Sequence, residues 1–194
     1  GNSNTALGKE AMKLNTTGAN NVAVGHHALN VNTSGGSSVA AGYGALGANT
    51  TGGNNTALGH STLAANTTAA NNVAVGHEAL TANTTGGTNT AVGASALGSN
   101  TTGAENVGMG TEAMQFTTTG TSNVSMGYRA LRANTTATGN TAVGRGALEA
   151  NTTGHSNVAV GWLALDANTT AASNTGVGTS SLGATTTGDL NVAV

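Results

Sequence analysis

The chain has no cysteine and no isoleucine, only one phenylalanine and one tryptophan in 194 residues, and 6% charged residues. The absence of cysteine excludes disulfide bonds and thiolate metal sites. Five basic residues against seven acidic ones leave no positively charged stripe for a polyanion, so we expect no nucleic-acid partner. No run of eighteen apolar residues occurs, and we expect no membrane span. With so few large apolar side chains, any interior has to be thin and filled by small residues.

What the sequence does contain is a repeat of seventeen residues, typified by NTAVGRGALEANTTGHS at residues 140–156. Units open at residues 4, 21, 38, 55, 72, 89, 106, 123, 140, 157 and 174, with a partial unit at 191. A period shorter than that of any common two-helix repeat is typical of a solenoid, in which each unit forms one coil stacked on the last. We therefore predict an all-β protein, a parallel β-solenoid of eleven coils in a single array over residues 1–194. The same unit position compared across coils is called a column below, numbered one to seventeen.

The two ends of the array are not special units. Gly1, Asn2 and Ser3 fit the last three columns of a preceding unit, and Val194 falls within another. No atypical capping unit, initiator methionine or signal peptide is visible. We expect a window of a longer chain, or a subunit whose ends are covered by neighbours.

Columns one to five predict a short β-strand that ends at glycine, as in Asn72-Val73-Ala74-Val75-Gly76. Side-chain alternation places columns two and four on one face and column three on the other. Column four is apolar in every coil, so we expect columns two and four to face the interior. Glycine at column five of every complete coil predicts a positive φ or a close approach between coils.

Column three carries only alanine, glycine or serine. On the predicted outer face, a position that stays small suggests that another sheet or chain packs closely against it; the alternative is that alanine simply fills a narrow coil. The first interpretation predicts a homo-oligomer packed through Ala23, Ala40, Ala57, Ala74, Ala91, Ala142 and Ala159.

Two further segments predict ladders of identical residues along the axis. Columns eight and nine are Ala-Leu in most coils, and the leucines are expected to form the core together with column four. Columns twelve to fifteen are Asn-Thr-Thr-Gly, in which stacked polar residues can hydrogen-bond from coil to coil.

The Asn-Thr-Thr segment also allows two functional interpretations. It matches the N-glycosylation motif, although sugars one coil apart would crowd each other, and a further match starts at Asn54. Ice binding on a flat solenoid needs two outward files of threonine, whereas adjacent threonines leave only one file outside, accompanied by the column-twelve asparagines. The candidate glycosylation residues are Asn15, Asn32, Asn49, Asn66, Asn83, Asn100, Asn134, Asn151 and Asn168.

Column six is predicted to be an exposed corner of the coil. Aromatic and basic residues in a line can bind a glycan or another surface, and the alternative is an unconstrained, solvated corner. His60 and His77 would lie about 4.8 Å apart in stacked coils, but no carboxylate shares their column, and we expect no metal site. The candidate surface-binding residues are His26, Tyr43, His60, His77, Tyr128, Arg145 and Trp162.

No catalytic constellation is recognisable. The seven acidic residues are scattered over the coils, no serine is paired with a histidine and an orienting group, and no glycine-rich loop opens a helix. We expect no enzyme activity, no catalytic residue and no cofactor.

The tandem pattern NTAVGxxALxxNTTGxxNVAVG resembles the repeat arrays of tail-fibre-type proteins from phages and environmental bacteria. It is similar, more distantly, to the heads of trimeric autotransporter adhesins, whose NSVAIG-like motif corresponds to residues 157–161, NVAVG. The resemblance covers the whole chain, although the unit is longer than the autotransporter repeat and no C-terminal chaperone is recognisable. It implies an extracellular fibrous segment, a left-handed parallel β-roll assembled with copies of itself as a trimer or fibril. Such a segment would serve as a shaft or as an adhesive head for cell-surface glycans.

Overall fold

The structure is a computed structural model that describes all of residues 1–194, and it consists of one sheet of twelve short parallel strands joined by turns. Each strand pairs with that of the next coil, in the order β1 to β12, which confirms the predicted parallel β-solenoid. The chain contains no helix that could span a membrane. The strands are β1 (Thr5–Leu7), β2 (Val22–Val24), β3 (Val39–Ala41), β4 (Thr56–Leu58), β5 (Val73–Val75), β6 (Thr90–Val92), β7 (Val107–Met109), β8 (Val124–Met126), β9 (Thr141–Val143), β10 (Val158–Val160), β11 (Thr175–Val177) and β12 (Val192–Ala193).

Seventeen residues complete one circuit, so equivalent residues lie side by side along the axis. Between β5 and β6, Val73 is registered with Thr90 and Ala74 with Ala91. The same offset of one unit holds for every strand pair, and the columns of the sequence are therefore rows of neighbours in space.

The interior is a narrow core of alanine and leucine. In one coil it comprises Ala74 of column three, Ala79 of column eight and Leu80 of column nine, all fully buried. Burial of a leucine contributes about 1.5–3 kcal/mol. The predicted leucine ladder is confirmed, with Leu182 of the last complete coil only partly buried.

The strands face the opposite way from the prediction. Column three points into the coil, and columns two and four point outward, where they are partly exposed. The reason is space, because a Cβ added at Gly108 of column three would lie 3.3 Å from the Leu97 Cγ. A position facing the leucine ladder so closely accepts only alanine, glycine or serine. The structure therefore agrees with the alternative interpretation, that alanine fills a narrow coil.

Oligomer packing through column three is therefore wrong. A side chain that lies wholly inside its own coil has no surface to offer to a second chain. This applies to each of the fully buried residues Ala23, Ala40, Ala57, Ala74, Ala91, Ala142 and Ala159.

The column-five glycines meet both predicted backbone requirements. Gly93 has a φ of 132°, and a Cβ placed on it would lie 2.6 Å from the carbonyl oxygen of Gly110 in the next coil. Such contact distances are far below van der Waals separation, so any side chain would push the coils apart.

Residues of three other columns have a positive, left-handed φ although most of them are not glycine. The three columns are seven, nine and seventeen, represented by Ser95 (φ 55°), Leu97 (φ 52°) and Thr88 (φ 61°). Each such non-glycine residue costs about 1–2 kcal/mol. At column nine this cost falls on the core leucine itself, whose burial offsets it. These turns close each coil and direct its side chains into the ladders.

Candidate functional site

The outward face of the sheet has no packing partner in the chain. We call it the strand-face strip, defined as the side chains of columns two and four on β1–β12. Val24 is 38% exposed, Leu58 37% and Met126 42%, and no charged residue occurs in either column. Column four is apolar in every coil and column two is valine or threonine, and an exposed surface of this composition on which nothing packs is typical of an interaction site.

The corner column brings several of its predicted residues together in a stack. The ring of Tyr43 lies 5.3 Å from that of His26 and 5.2 Å from that of His60, and the rings of His60 and His77 are also 5.2 Å apart. Both faces of Tyr43 and His60 are therefore covered by neighbouring rings. Only ring edges remain for a ligand along this part of the column.

The other predicted corner residues lie farther along the rod. The guanidinium carbon of Arg145 is 5.7 Å from the centre of the Tyr128 ring, and that of Arg129 is 4.9 Å from it. Trp162 is 50% exposed, and no aromatic ring stacks on it. Among the large aromatic rings of column six, the Trp162 indole alone has neither another ring nor a guanidinium over it.

The arginines near this corner are paired with an acidic residue. The Glu112 Oε2 atom lies 2.7 Å from Arg129 Nε and 3.0 Å from Arg132 Nε. The hydrogen bond from Arg129 to Glu112 raises the pKa of that guanidinium. The Nε atoms of both arginines are engaged by the same carboxylate, and the cluster is a surface ion-pair network.

The Asn-Thr-Thr-Gly segment forms the predicted ladder. Asn49 Nδ2 donates to Asn32 Oδ1 of the preceding coil (2.9 Å) and to the carbonyl of Gly52 in its own coil (2.9 Å). A second ladder runs along column one, where Asn89 accepts on Oδ1 a hydrogen bond from the backbone N–H of Asn106. These buried amides hold each coil closed and join it to the next.

This ladder is incompatible with sugars at the proposed asparagines. Glycosylation requires a free, solvent-accessible amide nitrogen, whereas these nitrogens are buried and donate hydrogen bonds. Asn15 in the first coil is partly buried, and its Nδ2 donates to the carbonyl of Gly18. The fully buried residues are Asn32, Asn49, Asn66, Asn83, Asn100, Asn134, Asn151 and Asn168.

The two threonine columns differ in their hydrogen bonding. The hydroxyl of Thr84 in column thirteen donates to the carbonyl of Thr101 in the next coil, while Thr85 of column fourteen is exposed. One outward file results, as expected, but the column-twelve asparagines do not accompany it, because they are buried. The second outward file that ice binding would need is not formed by this segment.

No set of three or more histidine, aspartate and glutamate side chains is close enough to hold a metal ion, and the surface has no ligand-sized pocket.

The sequence analysis did not predict the strand-face strip as an exposed surface. The signal for it was present in column two, which carries valine in some coils and threonine in others and so tolerates a hydroxyl, as an outward position does.

These features define the chain as a parallel β-solenoid with an uncovered apolar strip along one side. No family model, curated protein or solved structure matches it.

Proposed function

We propose that this chain is a structural segment of an extracellular fibre, a shaft or head of the tail-fibre or adhesin-like type, and that it performs no catalysis. The observation that carries the proposal is the continuity of its axial ladders. Strand hydrogen bonds and the core row of leucine and methionine repeat from coil to coil, and two rows of asparagines do the same apart from the threonines that replace asparagine at 117 and 185 of column twelve and the serine at 38 of column one. The result is a rod of uniform cross-section, about 50 Å long at about 4.8 Å per coil.

The surface supports the same role. A rod without a ligand-sized pocket offers no enclosed site for substrate, whereas its flat, repetitive sides suit contact with other extended surfaces. The extracellular location follows from the resemblance of the repeat to arrays in fibre proteins.

Immunogold electron microscopy tests this proposal on the cells or virions that produce the chain. Antibodies against the chain should label extended structures outside the cell envelope or on the virion. Label confined to the cell interior would refute the fibre role.

Glycan binding is a second candidate, and the exposure of Trp162 favours it. Its free indole face can stack on a sugar ring, whereas the faces of Tyr43 are covered. Glycan-array signal should be lost in Trp162→Ala and retained in Tyr43→Ala and in Thr111→Ala of the same column. No signal for the unaltered chain, or equal signal for all three variants, would remove this candidate.

A further inference from the structure

We propose that the strand-face strip is covered by a second copy of this chain, running parallel to the first and in register with it. The inference rests on the proposed fibre function and extends it by naming the partner and the contact surface. It replaces packing through column three, which the burial of the alanines rules out.

The composition of the strip suits an interface core. Column two contains only valine and threonine, and column four only alanine, valine, leucine and methionine. The centres of protein interfaces are depleted of charge, and every charged residue of the chain lies outside these two columns. Column eleven is free of charge as well, but it is mostly alanine, includes Ser99 and is a single column beside the charged column ten.

The strip is also large enough to form a specific protein–protein interface. Twelve strands about 4.8 Å apart, each about 10 Å across, give a footprint of roughly 500–600 Å² per copy, or roughly 1,100 Å² for two copies. A specific interface should exceed about 1,000 Å² in total, and the strip reaches this size. A few coils alone would fall short, so the contact needs most of the array.

The residues beside the strip favour parallel copies. On one side column six carries large side chains such as Tyr43, Tyr128 and Trp162; on the other, column seventeen is mostly serine, asparagine and threonine. A rotation axis parallel to the rod places column six of one copy against column seventeen of the next, large against small. An antiparallel pair would instead oppose column six to column six, so that large side chains would hold the strips apart. Column six meets column seventeen of the neighbouring copy whether the axis parallel to the rod is two-fold or three-fold.

The first experiment measures mass. Light scattering should show an oligomer for the unaltered chain and its loss for the double variant Val75→Lys, Val92→Lys. The matched control is Thr85→Lys, Thr102→Lys, which adds the same charge in the same two coils on exposed column fourteen and should stay oligomeric. Circular dichroism confirms that both variants keep the solenoid. A monomeric unaltered chain, or equal behaviour of the two variants, overturns the proposal.

The second experiment determines whether the two copies run parallel or antiparallel. Because the chain has no cysteine, spin labels can be placed singly at Ser34→Cys, Thr102→Cys or Thr170→Cys, in the second, sixth and tenth coils of column fourteen. Parallel copies give the same interlabel distance at all three heights. Antiparallel copies would give an axial offset of about 38 Å at the two outer positions and none at the middle one, which would refute the parallel arrangement. If the mass experiment fails while immunogold labels extracellular filaments, the partner is refuted and the fibre role remains.

Discussion

Asn72 and Asn83 donate their side-chain amides to the same acceptor, the carbonyl oxygen of Gly86, at 3.0 Å and 2.9 Å. The two asparagines belong to different ladders, in columns one and twelve, and they meet inside one coil. Each ladder therefore braces the other through a shared backbone carbonyl. Because buried polar groups that lack a partner cost about 1–3 kcal/mol, the stability of the rod depends on the continuity of both ladders.

The column-twelve ladder is interrupted at Thr117, and we expect repair to stabilise the chain. Asn83 Oδ1 accepts from Asn100 Nδ2, whereas Asn100 Oδ1 is buried without a partner, and Thr117, the next residue of the column, accepts from Asn134 Nδ2 and donates nothing to Asn100. Thr117→Asn supplies the missing donor and should raise the free energy of unfolding in urea by about 1 kcal/mol. Thr119→Asn, on the exposed column, should change it by less than about 0.5 kcal/mol. Equal or lower stability of Thr117→Asn would contradict the ladder's energetic role.

The close approach of the coils at column five makes its glycines irreplaceable. Gly93→Ala combines a left-handed φ of 132° with a Cβ placed 2.6 Å from Gly110. We expect a loss of about 3 kcal/mol or more, since backbone strain adds to a steric clash. Gly87→Ala is the control, because column sixteen already carries alanine at Ala70 and Ala104. Thermal denaturation followed by circular dichroism compares the two, and similar midpoints would show that the coils can separate at little cost.

Adjacent residues of one strand should respond oppositely to charge. Ala74→Glu places a carboxylate in the closed core, where an unpaired charge is strongly disfavoured, and should abolish the solenoid spectrum. Val75→Glu points outward and should leave the coil folded. Far-ultraviolet circular dichroism of the soluble fraction distinguishes the two. A folded Ala74→Glu together with an unfolded Val75→Glu would reverse the assignment of the strand faces.

Expression in a secretory eukaryotic host should attach sugar at Asn54 and at none of the buried asparagines. Asn54 opens a match to the motif, is exposed and belongs to no ladder. Mass spectrometry with and without enzymatic deglycosylation should therefore show one occupied site, lost in Asn54→Gln. Thr85→Val destroys the motif at Asn83 without altering that asparagine and should leave the sugar mass unchanged. Sugar persisting in Asn54→Gln would mean that a ladder asparagine reaches the solvent.

The parts of the fold that depend on period alone were predictable. A constant unit length stacks equivalent residues of successive coils on one another. The leucine ladder, the asparagine ladder and the glycine corner could therefore be predicted from the residues at each unit position. Alternation shows which strand residues share a face but not which face is inside, and the apolar character of residues such as Val75 favoured the wrong one. Interior volume decided which face lies inside, because the 3.3 Å approach of a Cβ at Gly108 to Leu97 leaves room in column three for alanine and not for valine. The left-handed backbone at the core leucines could not have been foreseen, since leucine has no preference for it.

The candidate site was only partly predictable for a related reason. Column six lies at the surface, but stacking of Tyr43 between two histidines depends on side-chain geometry that no column reveals. The glycosylation motif at Asn83 was recognisable, yet its burial required knowing that the amide points into the coil.

The constant register also bears on how such a molecule changes over generations. Since every coil offers its neighbours the same contacts, duplicating or deleting one whole unit leaves both flanking coils with satisfied partners. The length of the rod is then set by the number of units and changes in steps of about 4.8 Å. Recombination between near-identical units can lengthen or shorten the rod without any change to the remaining coils.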